Sequence, residues 1–183
     1  MRLFTIQPFE VFNIIMQQGE FVCDETKSKN VGDFKNAYDW LIAQMDKKNI
    51  PHPEGVNYPI WAWHTYDWKN EYPDTEELDE HECVCIELDV DDREVLLSDY
   101  NDWHYVLNNS YNDKSLSREE YEDEMKWYDN LTSDEKERIK VESWEQIFNL
   151  TPINTDWRTK ARYIQATFWK IRKENIVSVT LLQ

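Results

Sequence analysis

The strongest strand signal in the sequence is the segment Cys83-Val84-Cys85-Ile86-Glu87-Leu88-Asp89-Val90. Apolar and polar residues alternate along it with a period of two, which is typical of a strand that buries one face. The alternation places Val84, Ile86, Leu88 and Val90 toward a core and Glu87 and Asp89 toward solvent. A turn at 91–93 and a further strand at 94–97 follow, so the sequence predicts that these two strands form an antiparallel pair.

The neighbouring segments predict further strands and helices on both sides of this strand. The predicted strands cover residues 2–6, 58–63, 162–170 and 176–182. The predicted helices run from Pro8 to Gly19, from Asp33 as N-cap to residue 48, over 117–130 and over 133–149. Capping-box spacing at Ser117/Glu120 and Thr132/Glu135 supports the last two helices. Together the segments predict an α+β fold with a mixed, mostly antiparallel sheet and packed helices, in one domain over 1–183 with an acidic helical insertion at about 112–150.

Composition narrows the function classes. The 183 residues carry a formal net charge of −17, which disfavours direct binding to nucleic acid or to anionic membranes. No apolar run approaches the roughly 20 residues needed to span a membrane. The three cysteines favour a reducing cytoplasm, and three glycines exclude a Gly-rich phosphate loop. The charge fits either an acidic surface that engages a basic protein partner or an ordinary solvated surface.

The densest group of chemically active side chains lies in the segment 96–109, where a strand is expected to end and a short helix to begin. His104 there is a candidate general base, with Asp99 or Asp102 orienting the second ring nitrogen. The alternative is that these residues cap the helix and pack beneath it, with Trp103 turned inward. In that case His104 and Asn108 face a pocket.

Three other groups each have a functional and a structural interpretation. His81, Cys83 and Cys85 alternate on one strand but have no second ligand pair, which favours ordinary strand cysteines over a metal site. Trp61 and Trp63 suit stacking on a base or on nicotinamide, or simply a core. The basic residues between 158 and 173 suit a phosphate-bearing ligand, or intramolecular pairing with the acidic helices.

Several sequence blocks follow one another in a fixed order along the chain: Thr5–Pro8, Ala37–Leu41, Pro59–Trp63, Leu97–Tyr100 with Trp103–Asn108, Ser143–Phe148 and Gln165–Trp169. Together they resemble a bacterial family of unknown function, the domain of unknown function 3841 family. The resemblance covers nearly the whole chain and implies no settled activity.

A second, weaker resemblance is to ADP-ribosyltransferase-like folds, in particular the toxin type that modifies DNA. In that fold a first strand ends in a polar residue, an aromatic strand lines the pocket, and a late strand carries Gln-Ala-Glu. Here Gln7 ends the first strand in place of the usual His or Arg, and Trp61-Ala62-Trp63 is aromatic. Thr167 stands where the catalytic Glu would be, and a neutral Thr does not stabilise developing positive charge in the same way.

The second resemblance implies a site with NAD as ligand. The resemblance places Thr167 at the expected catalytic position and Gln7, Trp61, Trp63 and Gln165 among the expected cofactor-binding residues. The segment 96–109 adds His104 and Asp99 as expected catalytic residues and Asn108 as a further expected cofactor-binding residue. No metal is expected.

Three functional hypotheses follow, and whether the protein is an enzyme stays open. The first is a cytoplasmic ADP-ribosyltransferase-like domain that binds a nucleotide, with catalysis in doubt because of Thr167. The second is an acidic non-enzymatic inhibitor, of antirestriction or anti-CRISPR type, that engages a basic nucleic-acid-handling protein. The third is an RNA- or DNA-processing enzyme that uses His104, against which the net charge argues.

Overall fold

The computed structural model of the protein describes residues 1–24, 32–71 and 83–182. The chain divides into two compact units, the first formed by Met1–Leu97 with Gln165–Gln183 and the second by Ser98–Ile164. The acidic insertion predicted at about 112–150 falls inside the second unit, which has wider bounds.

A six-stranded, mostly antiparallel sheet organises the first unit, and the predicted α+β class is confirmed. Its strand order is β10-β4-β1-β3-β8-β5. The strands are β1 (Arg2–Pro8), β3 (Ile60–Thr65), β4 (Cys83–Asp89), β5 (Leu96–Asp99), β8 (Ile164–Phe168) and β10 (Ile176–Leu182). A separate two-stranded sheet pairs β2 (Glu20–Val22) with β9 (Lys170–Arg172). The strand predicted over 162–170 therefore breaks at Trp169, where the chain changes sheets.

The strand β4 has the predicted core face, because Val84, Ile86 and Leu88 are buried, and Asp89 is exposed as predicted. Glu87 was predicted to face solvent but is half-buried, since it binds Arg2 and Ser178, and Cys85 on the same face is buried. Its predicted pairing with the following strand is wrong. The structure pairs β4 with β1 on one side and with β10 on the other, so neither edge of β4 is available to β5. After a 3-10 turn at Asp92–Glu94 the chain crosses to the opposite edge of the sheet, where β5 lies beside β8.

The two faces of the sheet differ in what they bury. One face joins Ile15 of α1 (Phe9–Gln18) in the main hydrophobic core, together with Leu3, Ile60, Ala62, Val84, Ile86, Leu88, Ala166 and Phe168. Because side chains alternate along a strand, Phe4 and Ile6 of β1 and Trp61 and Trp63 of β3 belong to the other face. Register confirms this, since Phe4 is directly opposite Trp63.

Helix boundaries follow the predicted caps in most cases. The helix α1 begins after Pro8 and ends at Gly19, whose φ of 87° is the left-handed conformation that glycine adopts at little cost. The helix α2 (Lys35–Lys47) begins later than predicted. Its N-cap is Phe34 with no side-chain hydrogen bond, so the N-cap assigned to Asp33 is wrong.

The second unit contains α3 (Tyr100–Leu107), α4 (Arg118–Asp129), α5 (Ser133–Ser143) and a small hairpin of β6 (Ile153–Asn154) and β7 (Thr159–Lys160). The predicted capping box at Thr132/Glu135 is present in full. At α4 Ser117 accepts from the Glu120 amide, but the Glu120 carboxylate accepts from the Leu116 amide, so the box is only half formed. The predicted helix over 133–149 ends as α5 at Ser143 and continues as a 3-10 turn at Trp144–Phe148.

Candidate functional site

A cavity of about 180 Å³ opens on the sheet face opposite the main core of the first unit. Three adjacent strands line it: β1 with Phe4 and Ile6, β3 with Trp61 and Trp63, and β8 with Gln165; Ala62 completes the lining. Three of the five residues predicted to bind a cofactor, namely Trp61, Trp63 and Gln165, are therefore brought together.

The aromatic walls of this cavity are held by edge-to-face contacts. The Tyr38 ring of α2 lies 6.3 Å from the Trp61 ring at an interplanar angle of 86°, and Tyr66 lies 5.4 Å from Trp63 at the same angle. Edge-to-face pairs at such centroid distances are favourable and fix the orientation of the two indoles. Both indoles are half-buried, so each retains a surface for stacking.

The polar group of the cavity is the Gln165 amide. Its Oε1 oxygen is shielded from solvent and accepts no hydrogen bond from any residue that the structure describes. A shielded acceptor without a donor is costly, and a ligand amide or amino group would satisfy it. The cavity thus combines two aromatic walls with one hydrogen-bonding group.

Gln7 lies on the opposite face of the sheet. It is paired with Val84, and its Nε2 donates to Thr5 Oγ1 at 2.8 Å, while Thr5 Oγ1 donates to the Trp61 carbonyl at 2.8 Å. The two-residue period of β1 separates Gln7 from Phe4 and Ile6, so Gln7 does not line the cavity.

Thr167 is fully buried, two residues beyond Gln165 on β8. Its hydroxyl donates to the Leu96 carbonyl at 3.2 Å. The side chain at the position of the expected catalytic Glu therefore carries no charge and is engaged with the neighbouring strand.

The predicted catalytic residues of the second unit occupy separate places on α3. Asp99 is the N-cap, as its carboxylate accepts from the amides of Asp102 at 2.8 Å and Ala161 at 2.6 Å. Burial raises the pKa of Asp99, and these two amide hydrogen bonds act in the opposite direction. His104 is exposed and bonds through Nδ1 to the Tyr100 carbonyl at 2.9 Å, and no carboxylate of the described residues pairs with its ring.

Asn108 is also exposed, and its Nδ2 donates to the His104 carbonyl at 2.8 Å. It therefore bonds to the backbone of its own helix. Trp103 is buried, as expected.

The structure shows a polar centre in the second unit that the sequence did not reveal. Nine of the twelve buried polar or charged residues described lie in this unit. At the centre Asp102 accepts from Arg158 Nη2 at 3.1 Å and from Lys160 Nζ, and Lys160 also donates to the Gln146 carbonyl at 2.7 Å. The only sequence indication was the presence of Arg158 and Lys160 in an acidic chain, because their partner lies more than fifty residues earlier.

A second cavity of about 300 Å³ opens beside this centre. Polar residues from α3, the following loop and the β6–β7 hairpin form its floor, and two exposed aromatic rings form its walls. Its lining is Asn101, Asp102, Tyr105, Asp113, Ser115, Tyr121, Trp157, Arg158 and Thr159.

Four of the six basic residues between 158 and 173 form ion pairs within their own units. Lys170 binds Glu20 at 3.1 Å and Arg172 binds Glu94 at 2.7 Å, in addition to the two cations on Asp102. These partners lie outside the acidic helices α4 and α5, which the sequence had suggested as the source of the pairing.

Within the described residues no group of three or more His, Cys, Asp or Glu side chains is placed to hold a metal ion. Cys83 and Cys85 share a face of β4, but His81 lies outside the described residues. Of the described helices, none has the length and apolar character to cross a membrane.

The described residues form an α+β fold that has a ring-sized aromatic cavity in the first unit and a larger polar cleft in the second. The chain belongs to the family described as domain of unknown function DUF3841, whose pattern matches residues 2–177 of 183. No curated protein and no solved structure is significantly similar to the chain.

Proposed function

We propose that the chain is an ADP-ribosyltransferase-like domain that binds NAD or a related nucleotide by its ring and does not transfer ADP-ribose. The three strands that carry the resemblance are neighbours in the sheet, in the order β1-β3-β8. This adjacency supports the proposal because it brings Trp61, Trp63 and Gln165, which lie far apart in sequence, to one cavity, whereas Gln7 faces the other side of the sheet.

The observation that carries the proposal is the cavity shared by Trp61, Trp63 and Gln165. A dry apolar cavity of about 150 Å³ is enough to hold benzene, so about 180 Å³ suits one aromatic ring. Ring stacking on the indoles supplies affinity, and the Gln165 amide pairs with a carboxamide or an exocyclic amine on the ligand. The remainder of a nucleotide would lie outside the cavity.

Binding without transfer follows from Thr167. The expected chemistry needs a carboxylate that polarises a ribose hydroxyl and stabilises positive charge as the glycosidic bond breaks. Thr167 is neutral and buried, and its hydroxyl donates to the Leu96 carbonyl. We therefore propose that the domain binds the ring of the nucleotide in this cavity and does not catalyse the transfer step.

Calorimetry with millimolar nicotinamide, adenosine and NAD tests the proposal. We expect heat with at least one ring ligand, and a loss of affinity of about tenfold in Gln165→Met, which keeps the side-chain length but removes the amide. Gln17→Met, an exposed glutamine on α1, is the matched control and should bind as the wild type does. Absence of heat with all three ligands contradicts the proposal, as does labelled ADP-ribose on any target.

We also propose a second candidate function, a non-enzymatic acidic protein of antirestriction or anti-CRISPR type that engages a basic nucleic-acid-handling protein. The observation that favours it is α4, which carries six carboxylates against two basic residues and buries none of its side chains. Such a face raises the association rate with a positive partner and fits a binding role.

Capture with a tagged copy tests this second function. The expected result is a basic nucleic-acid-binding protein that is retained at low salt and released as salt rises through physiological strength. Retention that does not respond to salt, or capture of acidic proteins alone, contradicts it.

A further inference from the structure

The walls of the second unit's cavity are two aromatic rings that the fold leaves exposed. Trp157 is 44% exposed and Tyr121 is 37% exposed, and their ring centroids lie 5.8 Å apart at 50°. Exposed Trp and Tyr beside a cavity are the side chains that most often dominate binding energy. The two rings contact each other and together form one aromatic surface on which a flat or cationic group can stack.

This aromatic surface rests on a fixed base. Trp157 sits in the turn between β6 and β7, and the Arg158 amide donates to Thr155 Oγ1 at 2.9 Å. The Arg158 guanidinium turns inward, where it donates to the Asp102 carboxylate, Asn112 Oδ1 and the Asp113 carbonyl. A ring anchored next to such a network loses little freedom when a ligand binds.

Two side-chain oxygens of the lining, on Asp113 and Asn101, accept no hydrogen bond from any described residue. Asp113 Oδ1 accepts from the Ser115 amide, but Oδ2 receives no hydrogen bond from any described residue. Asn101 uses Nδ2 to reach the Thr159 carbonyl at 3.4 Å, which leaves Oδ1 available. Nη1 and Nη2 of Arg158, the cation at the wall, are already engaged with protein oxygens.

We propose that this cavity binds the guanidinium group of an arginine side chain presented by a basic protein partner. A guanidinium is planar and stacks on Trp and Tyr faces, and its five N–H groups can donate to the unfilled acceptors of the lining. The carboxylate of Asp113 supplies the opposite charge. This inference rests on the second proposed function, for which it names the site and the partner's recognised group.

Two matched peptides test the proposal: acetyl-Gly-Arg-Gly-amide, and the same peptide with citrulline in place of arginine. Binding is followed by NMR through the Trp157 indole N–H, assigned with Trp157→Phe. The arginine peptide should shift this signal, and citrulline, which keeps the shape but not the charge, should bind at least tenfold more weakly. Free arginine amide serves to show whether flanking peptide contributes.

Trp157→Ala and Asp113→Asn should each weaken arginine-peptide binding about tenfold, as followed by the Tyr121 ring signals. Trp127→Ala is the control, because Trp127 is similarly exposed on α4 but does not line the cavity. Far-UV circular dichroism and a melting curve establish that each variant folds. Equal binding of arginine and citrulline, or an equal loss in Trp127→Ala, overturns the proposal. The second proposed function, binding of a basic protein partner, is contradicted by a different result, namely that the capture experiment yields no basic protein released by salt.

Discussion

Replacing Asp102 by Asn tests the polar centre of the second unit. The Asp102 side chain is 4% exposed, and it binds Lys160 at 3% exposure and Arg158 at 13%. Asn keeps the shape but removes the one negative charge that both cations contact. Breaking a buried ion pair by removing one partner costs about 3–5 kcal/mol, and this is the expected loss in the free energy of unfolding.

Urea denaturation at pH 7, followed by circular dichroism, measures this loss. With a slope of about 2 kcal/mol per molar, the Asp102→Asn midpoint should fall by about 1.5–2.5 M. Asp123→Asn makes the same chemical change at an exposed position of α4 and should stay within about 0.5 kcal/mol of the wild type. A midpoint shift for Asp102→Asn as small as that of the control would refute the reasoning.

A double-mutant cycle measures the interaction free energy between Asp102 and Lys160. Lys160→Met alone should cost less than Asp102→Asn, since Asp102 keeps Arg158. In the Asp102→Asn background the same change removes an unpaired buried cation, so the double variant should be more stable than the sum of the two single losses implies, by about 1–3 kcal/mol. Additive losses would mean that the pair does not act as a unit.

Three further outcomes are expected. Thr132→Ala should destabilise the protein by about 1 kcal/mol through loss of the α5 cap, whereas Ser133→Ala should have little effect; thermal melts compare them. Burial raises the pKa of Cys23 to about 11 and that of Cys85 to about 12, so neither thiol should react with Ellman's reagent at pH 8 unless urea is added. Hydrogen bonds from a serine hydroxyl and an arginine lower the pKa of Glu87 below 4.5. Its contribution to stability is therefore complete above that pH and lost as pH falls through the folded pKa. The loss of melting temperature in Glu87→Gln should be full at pH 7 and should shrink progressively as the pH is lowered below 4.5.

Local features of the fold could be predicted because they depend on residues that are close together in the sequence. The core face of β4 and the Thr132/Glu135 box each depend on residues a few positions apart, and the structure confirms both. The strands that pair with β4 could not be identified from neighbouring residues, and the predicted pairing of β4 with β5 is wrong. Both edges of β4 are taken by strands distant in sequence, and a strand's own periodicity carries no information about which neighbour it will have.

In the candidate sites too, features that depend on nearby residues could be predicted and those that depend on distant residues could not. Aromatic content pointed to Trp61 and Trp63, and they do share a cavity with Gln165. The position of Gln7 at the end of a strand predicts a cofactor-binding role, but the two-residue period of β1 places its side chain on the other face of the sheet. The Asp102 centre depends on a separation of more than fifty residues, and nothing local distinguishes its carboxylate from the many others in an acidic chain.

The placement of β10 beside β4 has a consequence for biosynthesis. β10 begins at Ile176, 87 positions after β4 ends at Asp89, and yet it covers one full edge of that strand. At a synthesis rate of about 5–20 residues per second, β4 waits about 4–17 s on the ribosome with that edge uncovered by its native partner. An apolar strand with an open edge is a template for pairing with other chains. Expression at reduced translation rate should therefore lengthen the interval in which the nascent chain is prone to aggregate, and a chaperone that shields strand edges should raise the soluble yield.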